Sequence, residues 1–296
     1  MNKQVISIQT ILFNHDVSSV ERWIESISNS VANAKKVHES IRFNLYLGDC
    51  SDSPIFTDGQ IKSFNDTFPL FNKIEYVFFN DNLGSAKGHN TLAMSSNSEY
   101  LMTVNPDTVM APSCIKELLD IMADEQTGIA EANQIPLEHP KEFDILNGET
   151  SWASTCCALI RRKAYDEVSG FDDKHFFLHC DDVDFSWQVR LAGYRVRLNP
   201  KALIFHEHGF DEDNKYVSTS AERRYSAIGA LMLFAKYGRK DLLDSTLEHF
   251  NENKNDYGQV LADWNTHVEN NTVPEPIENA DIVAEFVDGA YAKHRW

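Results

Sequence analysis

The sequence predicts an α/β fold: a mainly parallel central sheet with helices on both faces, followed by a helical C-terminal segment. Three observations carry this. Apolar, β-branched runs of strand length alternate with stretches of helical periodicity through the first half of the chain. The connections between them are short, as a sheet covered on both faces requires. Ser218 to Phe250 then reads as two helices.

The elements follow in order. Val5 to Phe13 is the first strand. Ser18-Ser19-Val20-Glu21 has the form of a capping box, and Val20, Trp23, Ile24, Ile27 and Val31 repeat at helical spacing behind it. Phe43 to Gly48 is a second strand, ending in the turn-rich Asp49-Cys50-Ser51-Asp52-Ser53-Pro54. Ile74 to Phe79 is a third, and Lys87 to Ser95 a helix after it. Tyr100 to Val104 is a fourth, stopped by Asn105-Pro106-Asp107. Pro112 then opens a helix with Ile115, Leu118, Leu119 and Met122 as its apolar face. The middle is irregular from Gln134 to Trp152. Asp181 to Leu191 is a helix that Asp181 can cap and Gly193 can close. Ala202 to Phe205 is a late strand ending at His206.

Composition narrows the function. The chain has 296 residues, 42% of them hydrophobic, with 27 Lys+Arg against 45 Asp+Glu, a net charge of −18. That balance disfavours a nucleic-acid partner held by broad phosphate neutralisation. The stretch Asp241 to Trp296 carries twelve acids and three bases, half of the total charge. No apolar run approaches the ~20 residues that span a bilayer, and Met1 to Gln4 leads straight into a strand without a signal-peptide core. Five cysteines without C-x-x-C spacing fit a reducing cytoplasm.

In open parallel sheets ligands bind beyond the carboxyl ends of the strands. Asn14, Asp49, Asn82 and Asp107 all fall there. Asp107 projects from a rigid turn and is the kind of oxygen ligand a hard divalent cation takes, although Asn-Pro-Asp by itself reads first as a turn. Asp181-Asp182-x-Asp184 places three carboxylates in one helical turn, where the helix dipole favours them; one could accept a proton, while Asp184 reads as solvated. His206 and His208 follow a strand and could ligate a metal or be structural. Gly84-x-x-x-Gly88 lacks the P-loop ending but could seat a nucleotide, with Lys87 as a phosphate contact.

Taken in order, nine stretches resemble glycosyltransferase family 2, in particular its bacterial rhamnosyltransferase-like branch. They are Val5 to Asn14, Leu47 to Asp52, Asn82 to Asn90, Val104 to Thr108, Ala158 to Arg162, Gly170 to Asp173, Asp181 to Asp184, Ala192 to Tyr194 and Pro200 to His206. The resemblance implies a Rossmann-like GT-A fold over about 1–215, with 216–296 a helical, acidic extension. It implies inverting transfer of a sugar, rhamnose or a UDP-linked hexose, from a UDP- or dTDP-linked donor to a saccharide or lipid-linked saccharide in bacterial surface polysaccharide synthesis. Peripheral membrane contact would suit such an acceptor. A divalent metal, Mn²⁺ or Mg²⁺, would bridge the donor diphosphate.

By the same resemblance Asp182 is the base, Asp107 and His206 hold the metal, and Asp49 contacts the nucleotide base. Asn14, Asn82, Gly84, Lys87 and Asn105 complete the donor side. Trp152, Phe171, Asp172 and Asp181 line the acceptor side. Asn105 stands at the first position of the family's D-x-D. Two other functions use the same residues: a nucleotide-sugar hydrolase, and a non-catalytic scaffold that binds a nucleotide or saccharide. Because the motifs end near 210, residues beyond about 250 are expected to be dispensable for donor cleavage.

Overall fold

The computed structural model describes residues 4–136, 142–206 and 218–291. Eight strands form one sheet in the order β3-β2-β1-β4-β7-β6-β8-β5. They are β1 (Val5–Leu12), β2 (Arg42–Asp49), β3 (Lys73–Phe78), β4 (Tyr100–Val104), β5 (Thr108–Met110), β6 (Thr127–Ile135), β7 (Cys157–Arg161) and β8 (Arg195–His206). β1 runs parallel to both β2 and β4, and β2 parallel to β3. β7 is antiparallel to β4 and β6, and β5 antiparallel to β8, so six of the eight strands share one direction.

The central strands are buried on both faces, which is why they read as unbroken apolar runs. Alternate residues go to opposite sides. On β4, Met102 and Val104 join one apolar cluster while Leu101 joins another; on β7, Leu159 joins the first and Ile160 the second. Helices α1 (Val17–Ala34), α2 (Asp58–Thr67) and α4 (Cys114–Met122) cover the first face. Helices α3 (Gly84–Met94), α5 (Arg162–Glu167) and α6 (Asp181–Leu191) cover the second.

Two cap assignments differ from expectation. Asp16, not Ser18, caps α1: its side chain accepts from the Ser19 amide at 2.9 Å. α6 is preceded by Cys180 at φ 61, with no side-chain cap, and Asp181 lies inside the first turn. The S-x-x-E spacing is real, but the acid two residues earlier reaches the free amide first.

After the segment 207–217, which lies outside the described residues together with His208, come α7 (Ser220–Lys236), α8 (Lys240–Glu252) and α9 (Lys254–Glu269). These helices form no separate core. Val183 and Trp187 of α6 share one cluster with Leu231 and Phe234 of α7, Phe250 of α8, and Val260 and Trp264 of α9. α6 is therefore enclosed, with Phe185 and Val189 turned to the sheet cluster and Val183 and Trp187 to the C-terminal helices. Its apolar residues point to two opposite sides because both sides are covered.

That enclosure sets a shared core against the expectation that the chain beyond about 250 is dispensable for donor cleavage, because α9 supplies part of the packing around α6. Trp264→Ala should lower stability by about 3–5 kcal/mol, the usual range for emptying a buried tryptophan site. Urea denaturation checks this, and a loss under ~1 kcal/mol would show that α9 packs loosely.

Candidate active site

The carboxyl ends of β1, β2 and β4 emerge side by side, and their loops are tied to one another. Asn14, held at φ 54, donates its amide to Ser51 Oγ at 2.7 Å. Trp23 of α1 donates its indole N–H to the Asn105 carbonyl at 2.8 Å, and the Thr108 hydroxyl donates to that carbonyl at 2.7 Å. The Asn105 amide donates to the Cys156 carbonyl at 2.8 Å. The Asn-Pro-Asp turn is thus pinned from three elements, and Asp107 alone projects, with 45% of its side chain exposed.

Pairing of β5 with β8 sets Thr108 opposite His206. This brings the two expected metal ligands together: His206 Nε2 lies 3.2 Å from Asp107 Oδ1. His206 Nδ1 faces Gln134 Oε1 at 3.1 Å and Cys156 Sγ at 3.5 Å. A donor hydrogen on Nδ1 toward Gln134 leaves the Nε2 lone pair facing the carboxylate, the arrangement in which a ring nitrogen ligates. Among the described residues no group of three or more His, Cys, Asp or Glu is placed to hold a metal. One carboxylate and one imidazole nonetheless fit a divalent ion that takes its remaining ligands from substrate phosphates and water.

Asp49 differs from expectation. Its side chain is fully buried, Oδ1 accepts from the Ser51 amide at 2.9 Å, and Oδ2 accepts from the Ile55 amide at 3.1 Å and from the Tyr76 hydroxyl. Burial, then the Asp49 carboxylate, pushes the Tyr76 phenol well above its usual range. Asp49 therefore shapes the 51–55 loop, and its complete burial keeps it from a direct contact to a nucleotide base unless that loop moves. Its position at the end of β2 was legible; its orientation was not.

His15 was missed. It lies within electrostatic range of both Asp49 and Asp107, and its Nδ1 accepts from the Phe13 amide at 3.0 Å. Burial lowers its pKa against the pull of those two carboxylates, so the ring stays neutral between them. Its only sequence signal is its place beside Asn14 after β1.

The next loop begins α3. Asn82 Oδ1 accepts from the Gly84 amide at 3.2 Å. Gly84 has φ +68, and a Cβ there would sit 2.2 Å from the Phe177 carbonyl oxygen, so only glycine allows this approach. The Ser85 amide donates to that same carbonyl at 2.9 Å. The Lys87 side chain is exposed on the first turns. Ser85 also hydrogen-bonds Asp181, which joins this loop to the acid pair.

The acid pair follows two residues in the left-handed region, His179 at φ 65 and Cys180 at φ 61. Asp182 is half-buried in the first turn of α6, with Oδ1 accepting from the Val183 amide at 2.8 Å. Asp181 is 3% exposed, and its Oδ2 has no hydrogen-bond partner among the described residues. Burial pushes its carboxyl above the ordinary value, against the Ser85 contact.

Three further assignments are corrected. Asp184 is not solvated: it is 1% exposed and ion-paired with Lys236. Trp152 is 2% exposed and meets Tyr291 edge-on, and Phe171 is 4% exposed against Phe185. Both are core side chains and cannot line the acceptor side as expected. Asp172 stays at the margin, 19% exposed, where His175 and Lys236 outweigh burial and hold its carboxyl below the usual range.

No family model matches the chain. An N-acetylglucosaminyl-diphospho-decaprenol L-rhamnosyltransferase from Mycobacterium tuberculosis is 36% identical over 55 residues, 19% of this chain and 18% of that protein. A pre-mycofactocin glycosyltransferase from the same organism is 22% identical over 204 residues, 62% of this chain and 41% of that protein. The chain thus matches less than half the length of either relative. The mannosyltransferase PcManGT from Pyrobaculum calidifontis, solved with GDP-Man and Mn²⁺, superposes with a TM-score of 0.58 at 15% identity, covering 79% of this chain and 64% of that one. The class is then plain: the chain has the GT-A fold of glycosyltransferases. Within that class its sequence is similar to the rhamnosyltransferase-like branch.

The raised pKa of Asp181 has a signed consequence. Its ionisation opposes folding, so the cost is absent below the ordinary value of 3.8 and grows as pH rises through it. Asp181→Asn should therefore be more stable than the parent at pH 7, with the difference shrinking as pH falls toward 4. Thermal melts across that range check it; a variant destabilised at every pH would show that the ionised carboxylate is needed for the turn.

Proposed function

We propose that this protein is an inverting glycosyltransferase that moves a sugar from a UDP- or dTDP-linked donor to a hydroxyl of a saccharide or lipid-linked saccharide. The observation that carries the reading is the Asp107–His206 pair at the carboxyl edge of the sheet. The Ser85 side chain, at the start of α3, acts on Asp181 of the acid turn, which supports grouping that turn with the strand-end loops. Rhamnose is the favoured sugar, because the rhamnosyltransferase is similar in sequence to this chain.

Asp107 and His206 would hold the divalent ion. That ion supplies neutralisation of the charge that develops on the departing diphosphate. His15, neutral beside the two carboxylates, adds no repulsion to the cation they attract. Lys87 offers a second positive charge to the phosphates from the start of α3. Asp182 accepts the proton of the acceptor hydroxyl; the freed oxygen bonds to the anomeric carbon as the carbon–oxygen bond to the diphosphate breaks, and attack from the opposite face inverts the centre. Half-burial of Asp182 leaves it reachable while the turn around it is fixed.

No described helix is long and apolar enough to cross a membrane. A lipid-linked acceptor at a membrane surface, in surface polysaccharide synthesis, is the setting that fits this reading.

The test is donor turnover with Mn²⁺ over a panel of UDP- and dTDP-sugars, with and without saccharide acceptor, for the parent and Asp182→Asn. The parent should release nucleotide faster when acceptor is present and give product of inverted anomeric configuration. Asp182→Asn should lose about 10²–10⁴ in rate, roughly 3–5 kcal/mol of transition-state stabilisation, and keep nucleotide affinity within about twofold. Acceptor-independent turnover would make it a hydrolase; near-parental transfer by Asp182→Asn would remove that residue from the chemistry.

A further inference from the structure

Lys236 is the one charged residue in the run Ala227–Tyr237 near the end of α7. Its ammonium lies 2.6 Å from Asp172 Oδ2 and 2.8 Å from Asp184 Oδ1. The lysine side chain is 10% exposed and that of Asp184 1%. Tyr237, the next residue, donates its hydroxyl to Asp184 Oδ1 at 3.0 Å. Asp172 precedes Asp182 by ten residues, and Asp184 follows it by two. One cation from the C-terminal helices therefore gathers both ends of the segment that carries the acid pair.

The stretch between those ends needs holding. It contains the two left-handed residues His179 and Cys180, a conformation that is strained for non-glycine residues and persists only where the surroundings impose it. α7 presses on this turn directly: a Cβ at Gly229 would lie 3.0 Å from the Cys180 side chain and the His179 carbonyl. Burying an ammonium with two carboxylates is a weak source of stability, since apolar side chains of similar volume do as well or better. What the ammonium supplies is two short contacts that set the spacing of two backbone segments.

We infer that Lys236 is a positioning residue for transfer. It closes residues 172–184 into a loop and holds Asp182 where the acceptor hydroxyl arrives, so the reactive geometry is completed by the C-terminal helical layer. The inference rests on Asp182 being the base. Burial pushes the Asp184 carboxyl up while Lys236 pulls against it, so neither partner can be removed alone without leaving the other exposed to that cost.

The experiment uses the full chain with two changes, Lys236→Arg and the charge-removing pair Lys236→Met with Asp184→Asn. Three quantities are read: kcat and acceptor KM for transfer from the donor that the parent turns over, affinity for UDP with Mn²⁺, and amide exchange over residues 176–185. Lys236→Arg keeps the charge but puts a larger planar fork where a compact ammonium sets the spacing of the two carboxylates, so kcat should fall several-fold. The double variant should fall tenfold or more, and its exchange over 176–185 should quicken at least tenfold. UDP affinity should stay within twofold in both. Parental kcat in folded Lys236→Arg, or parallel loss of UDP affinity and kcat, overturns the inference. Unchanged exchange in the double variant overturns it as well. Exchange needs no turnover: a parent that transfers no sugar defeats the proposed function, while quickened exchange confined to 176–185 would still support the clamp.

Discussion

β1 lies between β2 and β4, parallel to both, and on that placement everything at the site depends. Parallel neighbours point their ends the same way, so the loops that leave them must share one edge. Leu12 pairs with Asp49, which puts Asn14 against Ser51; β4 beside them delivers Asn105 and Asp107. A slip of one residue in any of these pairings would turn the terminal side chains to the other face. Buried on both faces, the strands have one register that keeps both apolar clusters filled, and the polar edge is a consequence of that packing.

Two additions turn the edge into a site. β5 and β8, paired antiparallel, bring an imidazole from far along the chain to within 3.2 Å of a carboxylate held by the Asn-Pro-Asp turn. α6, enclosed between the sheet and the C-terminal helices, brings the acid pair. The first depends on strand register, the second on helix packing. Ser85 links them, since its amide holds the Phe177 carbonyl and it also hydrogen-bonds Asp181. The strand-end edge and the acid turn are therefore braced through one loop, the one that requires glycine at position 84.

Much of this was legible in the sequence, for identifiable reasons. β1, β2 and β4 showed as apolar runs because both of their faces are buried, and β3 showed although it is an edge strand and mostly half-buried. α6 and its acids were visible because Asp181-Asp182-x-Asp184 stands between an aromatic run and a helical pattern. β6 and β7 were hidden: β6 carries the buried Glu131 and β7 begins with small residues, so neither reads as a strand. α2 escaped because its buried residue is a single phenylalanine, Phe64. Periodicity says where a residue lies along an element and little about what covers it. Hence Asp184 looked solvated, and Trp152 and Phe171 looked available, although all three are enclosed. Lys236 gave no signal, because its partners lie 64 and 52 residues away in sequence.

The central claim is that Asp107 and His206 together with a nucleotide diphosphate form a cation site at this edge. Calorimetric titration of UDP into the parent and into Asp107→Ala, each in Mn²⁺ and in EDTA, tests it most directly. Tighter binding of UDP in Mn²⁺ than in EDTA by tenfold or more in the parent, and no difference between the two buffers in Asp107→Ala, is the expected result. Equal affinity in Mn²⁺ and EDTA for the parent, or an undiminished Mn²⁺ effect in Asp107→Ala, would contradict it.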